Sequence, residues 1–272
     1  MPRLVTLLAM LLLCAGPAAA DVTVTQTMTI EGTMAPMMGG AAPRMVTRIK
    51  GLQSRTDVEV MNQTIATITD LARQQVIILN GASRTAQIVK PGALPETGAP
   101  VTMPKLDLSF KATGRSQVIE GARCDEHAFT MSINMAEAGA SGQMPPEVAA
   151  AMKDVRMAMT GSVWIATSGP GVEDYVRFQK AATDAKMIAA LTGMKPGAQP
   201  GGLEQLMAAS SAAPGLPYLS EMTMVFEGTG KMVEMMKQMG PIKMTQRTTA
   251  VSTDALPDDL FQVPGDYKLL EK

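Results

Sequence analysis

The chain has 272 residues, of which 46% are hydrophobic and 18% are charged, and its formal net charge is −1. This composition is typical of a globular protein with a sizeable core. The near-neutral charge and the lack of any basic block in the sequence argue against nucleic acid as a partner.

The first twenty residues have the pattern of a secretory signal peptide. Arg3 supplies a positive charge, Leu4 to Leu13 form an apolar run, and three alanines precede Asp21. The apolar run is too short to span a bilayer. We therefore expect cleavage near Ala20 and Asp21, a periplasmic or secreted location, and a single domain over residues 21–272.

The two cysteines each allow two interpretations. Cys14 follows the apolar run as a lipidated cysteine would, but Leu13 stands where such sites need a small residue. After cleavage Cys124 is the one cysteine left, so no intramolecular disulfide is expected. Cys124 is either a reactive thiol or, more commonly for this residue type, a small buried side chain.

Short segments with apolar residues at every second position follow one another from Val22 onwards. Such alternation predicts strands with one buried face. The breaks between the segments are too short for crossover helices, so we expect an antiparallel meander. Asn80-Gly81 predicts a type I′ hairpin turn. The strands expected in the first third of the chain are 22–30, 45–50, 52–60, 64–69, 75–79 and 83–89.

The later part of the chain mixes strands with helices. A Pro-rich connection from Pro91 to Pro104 separates the two parts, and we expect it to lie within one curved sheet. Helices are predicted over Val172 to Leu191 and over Leu203 to Ala213, with a shorter helical segment over Lys231 to Met239. Strands are predicted at 106–112, 115–120, 123–135, 155–165, 219–228 and 242–252. From these segments we expect about eleven strands and two to four helices, which predicts an α+β fold dominated by an antiparallel sheet.

No catalytic motif is recognisable in the sequence. Cys124 and His127 have the spacing C-x-x-H, but residues three apart on a strand point to opposite faces. The carboxylates are scattered and no pair has the spacing needed for acid and base work. We therefore predict a protein that is not an enzyme and that holds no metal or other cofactor.

Methionine is unusually common, with 25 residues, while aromatic residues make up 3%. Flexible, polarizable side chains of this kind fill irregular volumes and form adaptable apolar surfaces, although they can also simply replace Leu and Phe in an ordinary core. Two clusters, Met34 to Met38 and Met232 to Met239, have spacings that thioether ligands of Cu(I) could use. An apolar helical stripe explains the second cluster equally well.

Several motifs, taken in order, resemble a bacterial periplasmic domain family of unknown function. Their members here are 48–57, 67–70, 76–79, Ile119 to Cys124, Gly161 to Trp164, 169–178, 215–217 and 260–268. That family is similar in architecture to the lipoprotein carriers LolA and LolB. The resemblance implies a strongly curved, half-open antiparallel sheet, helices that cover its concave face, and an apolar cavity between them.

The expected function is binding or carrying a lipid-like apolar ligand, such as a lipid or a lipoprotein acyl chain. The alternative is a structural or interaction module with the same fold, a filled core and no ligand. The candidate cavity residues are those at alternating positions of two strands. They are Met157, Met159, Val163, Met222, Met224 and Phe226.

Overall fold

The computed structural model describes residues 21–33, 43–60, 63–89, 106–135, 152–183 and 211–270. Within these ranges the chain forms a sheet of twelve strands, with two α-helices and one 3-10 turn. The strands are β1 (Val22–Glu31), β2 (Arg44–Lys50), β3 (Gln53–Val60), β4 (Gln63–Asp70), β5 (Gln75–Asn80), β6 (Thr85–Val89), β7 (Leu106–Ile119), β8 (Ala122–Asn134), β9 (Arg156–Ala166), β10 (Leu216–Glu227), β11 (Ile242–Ser252) and β12 (Lys268–Leu270). The helices are α1 (Val172–Ala182) and α2 (Lys231–Gln238), and the 3-10 turn is Asp258–Phe261.

The strand order is β12-β6-β5-β4-β3-β2-β1-β11-β10-β9-β8-β7. Every neighbouring pair is antiparallel except β12 and β6, which run parallel. The expected sheet-dominated α+β class and the antiparallel meander are thus confirmed. β1 lies inside the sheet, where Val24 is opposite Thr47 of β2 on one side and Val251 of β11 on the other.

Two local predictions were wrong. The segments 106–112 and 115–120 form one strand, β7, because a bulge at residues 113–115 keeps both parts paired with β8. The type I′ turn predicted at Asn80-Gly81 needs positive φ at both residues, but the residue with positive φ between β5 and β6 is Arg84. Gly81 is needed there for close approach, since an added Cβ would lie 2.8 Å from the Thr64 carbonyl oxygen. Asn80 caps this turn by accepting a hydrogen bond from the Ser83 amide.

Helix α1 begins after Gly171, whose φ of 71° lies in the left-handed region. Glu173 and Asp174 occupy the first turn and both pair with Arg177. Val172 and Phe178 are buried, and α1 contacts both β2 and β10. The predicted helix up to Leu191 is confirmed as far as Ala182. Thr183 caps the helix at its carboxyl end. Residues 184–191, most of the helix predicted at Leu203 to Ala213, the signal segment and the cluster Met34 to Met38 lie outside the described residues.

Two clusters of buried side chains form the core. The first joins α1 to the middle of the sheet, and its members include Val22, Ile49, Trp164, Phe178 and Leu216. The second lies towards the β12 edge of the sheet, where Phe261 of the 3-10 turn packs on β4, β5 and β6. Among the described residues, no helix has the length and apolar content needed to cross a bilayer.

Candidate apolar binding site

The structure brings the six predicted cavity residues onto one face of β9 and β10. Met157 lies opposite Phe226, and Met159 lies opposite Met224. Met222 faces Gly161, while Val163 faces Ser220. Because cross-strand partners in an antiparallel pair share a face, the six side chains form one patch. All six are half-buried.

The patch continues onto the neighbouring strands. Phe129 and Met131 of β8 are opposite Gly161 and Met159, and they pair in turn with Phe110 and Leu108 of β7. On the other side, Met244 and Ile242 of β11 lie opposite Met222 and Met224. We call this surface of β7 to β11 the apolar face. The sequence reasoning missed the residues on β7, β8 and β11, although the predicted meander carried the signal that would have placed them.

The opposite surface of β8, β9 and β10 is polar around Thr160. Thr160 of β9 pairs with Thr130 of β8 and with Thr223 of β10, and the neighbouring Glu221 is also on this side. Thr160, Thr130 and Glu221 are exposed. Towards Trp164 and Leu219 this surface is apolar and buried again, so its contrast with the apolar face is confined to the neighbourhood of Thr160.

Gly161 sits in the middle of the apolar face, at a point of unusually close approach. A Cβ added at this position would lie 2.0 Å from the Glu221 carbonyl oxygen and 2.8 Å from the Met222 Cα. Glycine in a strand interior marks such approaches and tight bends. The residue therefore lets β9 and β10 come together where the six predicted side chains meet.

A cavity of about 690 Å³ lies between the apolar face and α1. We call it the apolar cavity. Its sheet side includes Phe110, Phe129 and Val163, and its helix side includes Tyr175 and Val176. Val163 is the one member of the predicted six among its described lining residues. Burial raises the pKa of Tyr175, so its phenol is neutral at physiological pH.

A second cavity, of about 930 Å³, lies at the amino-terminal end of α1. We call it the polar cavity, because Arg115, Asp125, Glu126 and Glu173 are among its lining residues. The two cavities share Val176, Ala213 and Pro214 in their linings, so they lie next to each other along α1.

Glu126 is the buried acid of the polar cavity. The bulge in β7 places both Thr113 and Arg115 opposite it, and its carboxylate accepts hydrogen bonds from Arg115 Nε at 2.6 Å and from Thr113 Oγ1 at 2.6 Å. The bonds from Arg115 hold the pKa of Glu126 below its usual value, although burial acts in the opposite direction. The Arg115 guanidinium also lies 5.7 Å from the ring centroid of Trp164.

Cys124 and His127 do not form a joint site. His127 stacks on Phe110 with a centroid separation of 5.1 Å, whereas Cys124 is fully buried in the first core cluster. Burial, and next the charge of Asp125, raise the pKa of the Cys124 thiol. The described residues contain no group of three or more His, Cys, Asp or Glu side chains that could hold a metal ion.

The methionines in and directly after α2 differ in exposure, as expected for an amphipathic helix. Met232, Met236 and Met239 are half-buried, while Met235 is 59% exposed. Val233 is the buried anchor of this helix, which packs against β10. Binding of Cu(I) by this cluster stays an untested alternative.

Comparison of the chain with protein-family models and with curated proteins finds no match. The resemblance to the LolA and LolB architecture therefore stays a prediction from the sequence motifs.

Proposed function

We propose that this protein is a non-catalytic binding or carrier protein for a lipid-like apolar ligand. The observation that carries the proposal is the apolar cavity between the apolar face and α1. A cleft of several hundred Å³ lined mainly by apolar and aromatic side chains, with a few polar groups, is the usual form of a small-molecule site.

The proposal includes the finer architecture that the resemblance implies. In this view the sheet is strongly curved, the apolar face is its concave side, and helices cover that side. Two features support it. First, α1 contacts β2 and β10, which are separated in the sheet by β1 and β11, so the helix extends across four strands. Second, bulges interrupt β7, the β9–β10 pair and the β1–β11 pair, and bulges bend and twist a sheet.

The proposal also includes the location and the partner. The signal pattern of residues 1–20 supports export to the periplasm or beyond, with cleavage near Ala20 and Asp21. A lipid or the acyl chain of a lipoprotein is the partner that the apolar lining favours. Flexible methionines such as Met131 and Met159 would adapt to chains of different shape.

The experiment measures binding of the neutral fluorophore N-phenyl-naphthylamine to the purified chain, together with mass spectrometry of its organic-solvent extract. We expect saturable binding to the wild type and a lipid in the extract. In Val163→Asp a charge enters the apolar cavity, and binding should weaken at least about tenfold. Val163→Thr keeps the side-chain volume but adds a hydroxyl group to the apolar cavity, and it should weaken binding by about fivefold.

Thr160→Asp is the matched control, because Thr160 lies three residues away on the same strand but on the polar surface. It should bind like the wild type. Wild-type protein that neither yields a lipid nor binds the fluorophore would instead favour the interaction module with a filled core. Equal effects of the changes at positions 160 and 163 would show that the apolar cavity is not the site.

A further inference from the structure

Three of the polar residues that line the apolar cavity lie at the carboxyl-terminal end of α1. Gln179 and Lys180 lie in the last turn of α1, Thr183 caps that end of the helix, and Ser211 also belongs to the lining. The rest of the described lining is apolar or aromatic except at Tyr175. A site with polar groups at one end fixes the orientation of a ligand that has one polar end of its own.

The charge at this end is positive. Lys180 is the one charged residue in the described lining of the apolar cavity. Arg177, its neighbour on α1, is already paired with Glu173 and Asp174. Within the described part of the chain, no carboxylate forms a salt bridge with Lys180.

The helix dipole opposes an anion at this position, because a helix carries about half a negative charge at its carboxyl end. The full charge of Lys180 is larger than this half charge. Thr183 reduces the opposing effect further, since its hydroxyl donates hydrogen bonds to the carbonyl oxygens of Gln179 and Lys180. The local field therefore still favours an anion.

The neighbouring polar cavity has the opposite sign. The described part of its lining contains three carboxylates, from Asp125, Glu126 and Glu173, and one guanidinium, that of Arg115. Arg115 is bonded to Glu126, and Glu173 shares Arg177 with Asp174, so negative charge is in excess. An anionic group is repelled at that side and attracted at the side of Lys180. The two cavities together thus distinguish the two ends of a bound molecule.

We propose that the ligand of the apolar cavity is an amphiphile with an anionic head group, of which a long-chain fatty acid is the simplest example. Its head group lies beside Lys180, and its alkyl chain extends along Phe129 and Val163. This inference depends on the proposed binding function, and it adds the chemical class and the orientation of the ligand.

The test measures displacement of N-phenyl-naphthylamine by dodecanoate, dodecanol and dodecylamine at neutral pH and low salt. Each compound is titrated into the wild type and Lys180→Gln, and the ratio of the two dissociation constants is compared across compounds. This ratio cancels the different solubilities of the three compounds in water. We expect the substitution to weaken dodecanoate about threefold, to leave dodecanol unchanged and to strengthen dodecylamine. Lys180→Glu should widen these differences, and about 1 M salt should remove them.

Lys231→Gln removes the same charge from the first turn of α2, which follows the far end of β10, roughly 35 Å along the strand from Pro217. Lys231→Gln should bind each of the three compounds with the same dissociation constant as the wild type. If Lys180→Gln changes the dissociation constants of all three compounds by the same factor, or changes none of them, the anionic head group is contradicted. The proposed binding function is then left intact. Failure of all three compounds to displace the fluorophore would instead contradict the proposed function itself.

Discussion

Replacing Gly161 by alanine tests the close approach of β9 and β10 in the apolar face. The added Cβ would lie 2.0 Å from the Glu221 carbonyl oxygen, whereas ordinary contact begins at 3.4 Å, so one strand must move by 1.4 Å (3.4 minus 2.0). The neighbouring atoms belong to the backbone and cannot rotate away. Overpacking of this kind costs about 1–3 kcal/mol, and the lower unfolded-state entropy of alanine returns about 0.4–1 kcal/mol.

We therefore expect Gly161→Ala to lower the free energy of unfolding by about 1–2 kcal/mol, which corresponds to a fall in Tm of roughly 2–8 °C for a domain of this size. Urea unfolding followed by circular dichroism measures the loss as a lower midpoint with an unchanged slope. Gly265→Ala is the control, because nothing lies within 4 Å of its added Cβ and its φ is not in the left-handed region. If both variants unfold at the wild-type midpoint, the two strands are not as close as described and the reasoning fails.

Three further outcomes are expected. Glu126→Gln should cost about 1 kcal/mol at pH 7, since Arg115 is largely exposed and water competes for it. The folded-state pKa of Glu126 is lowered, so its contribution to stability is present above the usual value of 4.5 and is lost as the pH falls through the lowered pKa. The free energies of unfolding of wild type and variant, measured in urea, should therefore converge below pH 4.5. A difference between them that stays constant with pH would contradict the ion pair. The raised pKa and burial of Cys124 predict slow alkylation by iodoacetamide at pH 8 in the folded chain and fast alkylation in urea; fast reaction without urea would show an accessible thiol. Phe261→Ala, at a side chain only 4% exposed, should cost about 3–5 kcal/mol, compared with a smaller loss for the half-buried Phe226→Ala, both measured from thermal unfolding.

Much of the sheet could be predicted because period-two alternation and short breaks act locally. The bounds of β11, Ile242–Ser252, agree with the sequence prediction, and β1 differs by one residue. The strand β12 was missed, since its three residues show no alternation and its partner β6 lies far away in sequence. The division of β7 into two segments was wrong because Gly114 reads as a turn, whereas β8 holds both halves in register across a bulge.

The candidate site was only partly predictable for a related reason. Alternation places Met222, Met224 and Phe226 on one side of their strand, but it says nothing about which side of the sheet a helix covers. Tertiary contacts decide that Val163 lines the cavity beside α1. They also decide that Met157 and Met159 extend the apolar face elsewhere. The ion pair of Glu126 with Arg115 likewise depends on the bulge, which no local pattern in β7 reveals.

The interior position of β1 has a consequence for how the chain is made. Val24 pairs with Val251, and the Asp21 carboxylate accepts a hydrogen bond from the Leu256 amide at 2.6 Å. β1 is therefore synthesised long before its partner β11, and contacts so distant along the chain form slowly. Until β11 is made, the edge of β1 that faces it is unpaired, and an unpaired strand edge is a site at which chains aggregate.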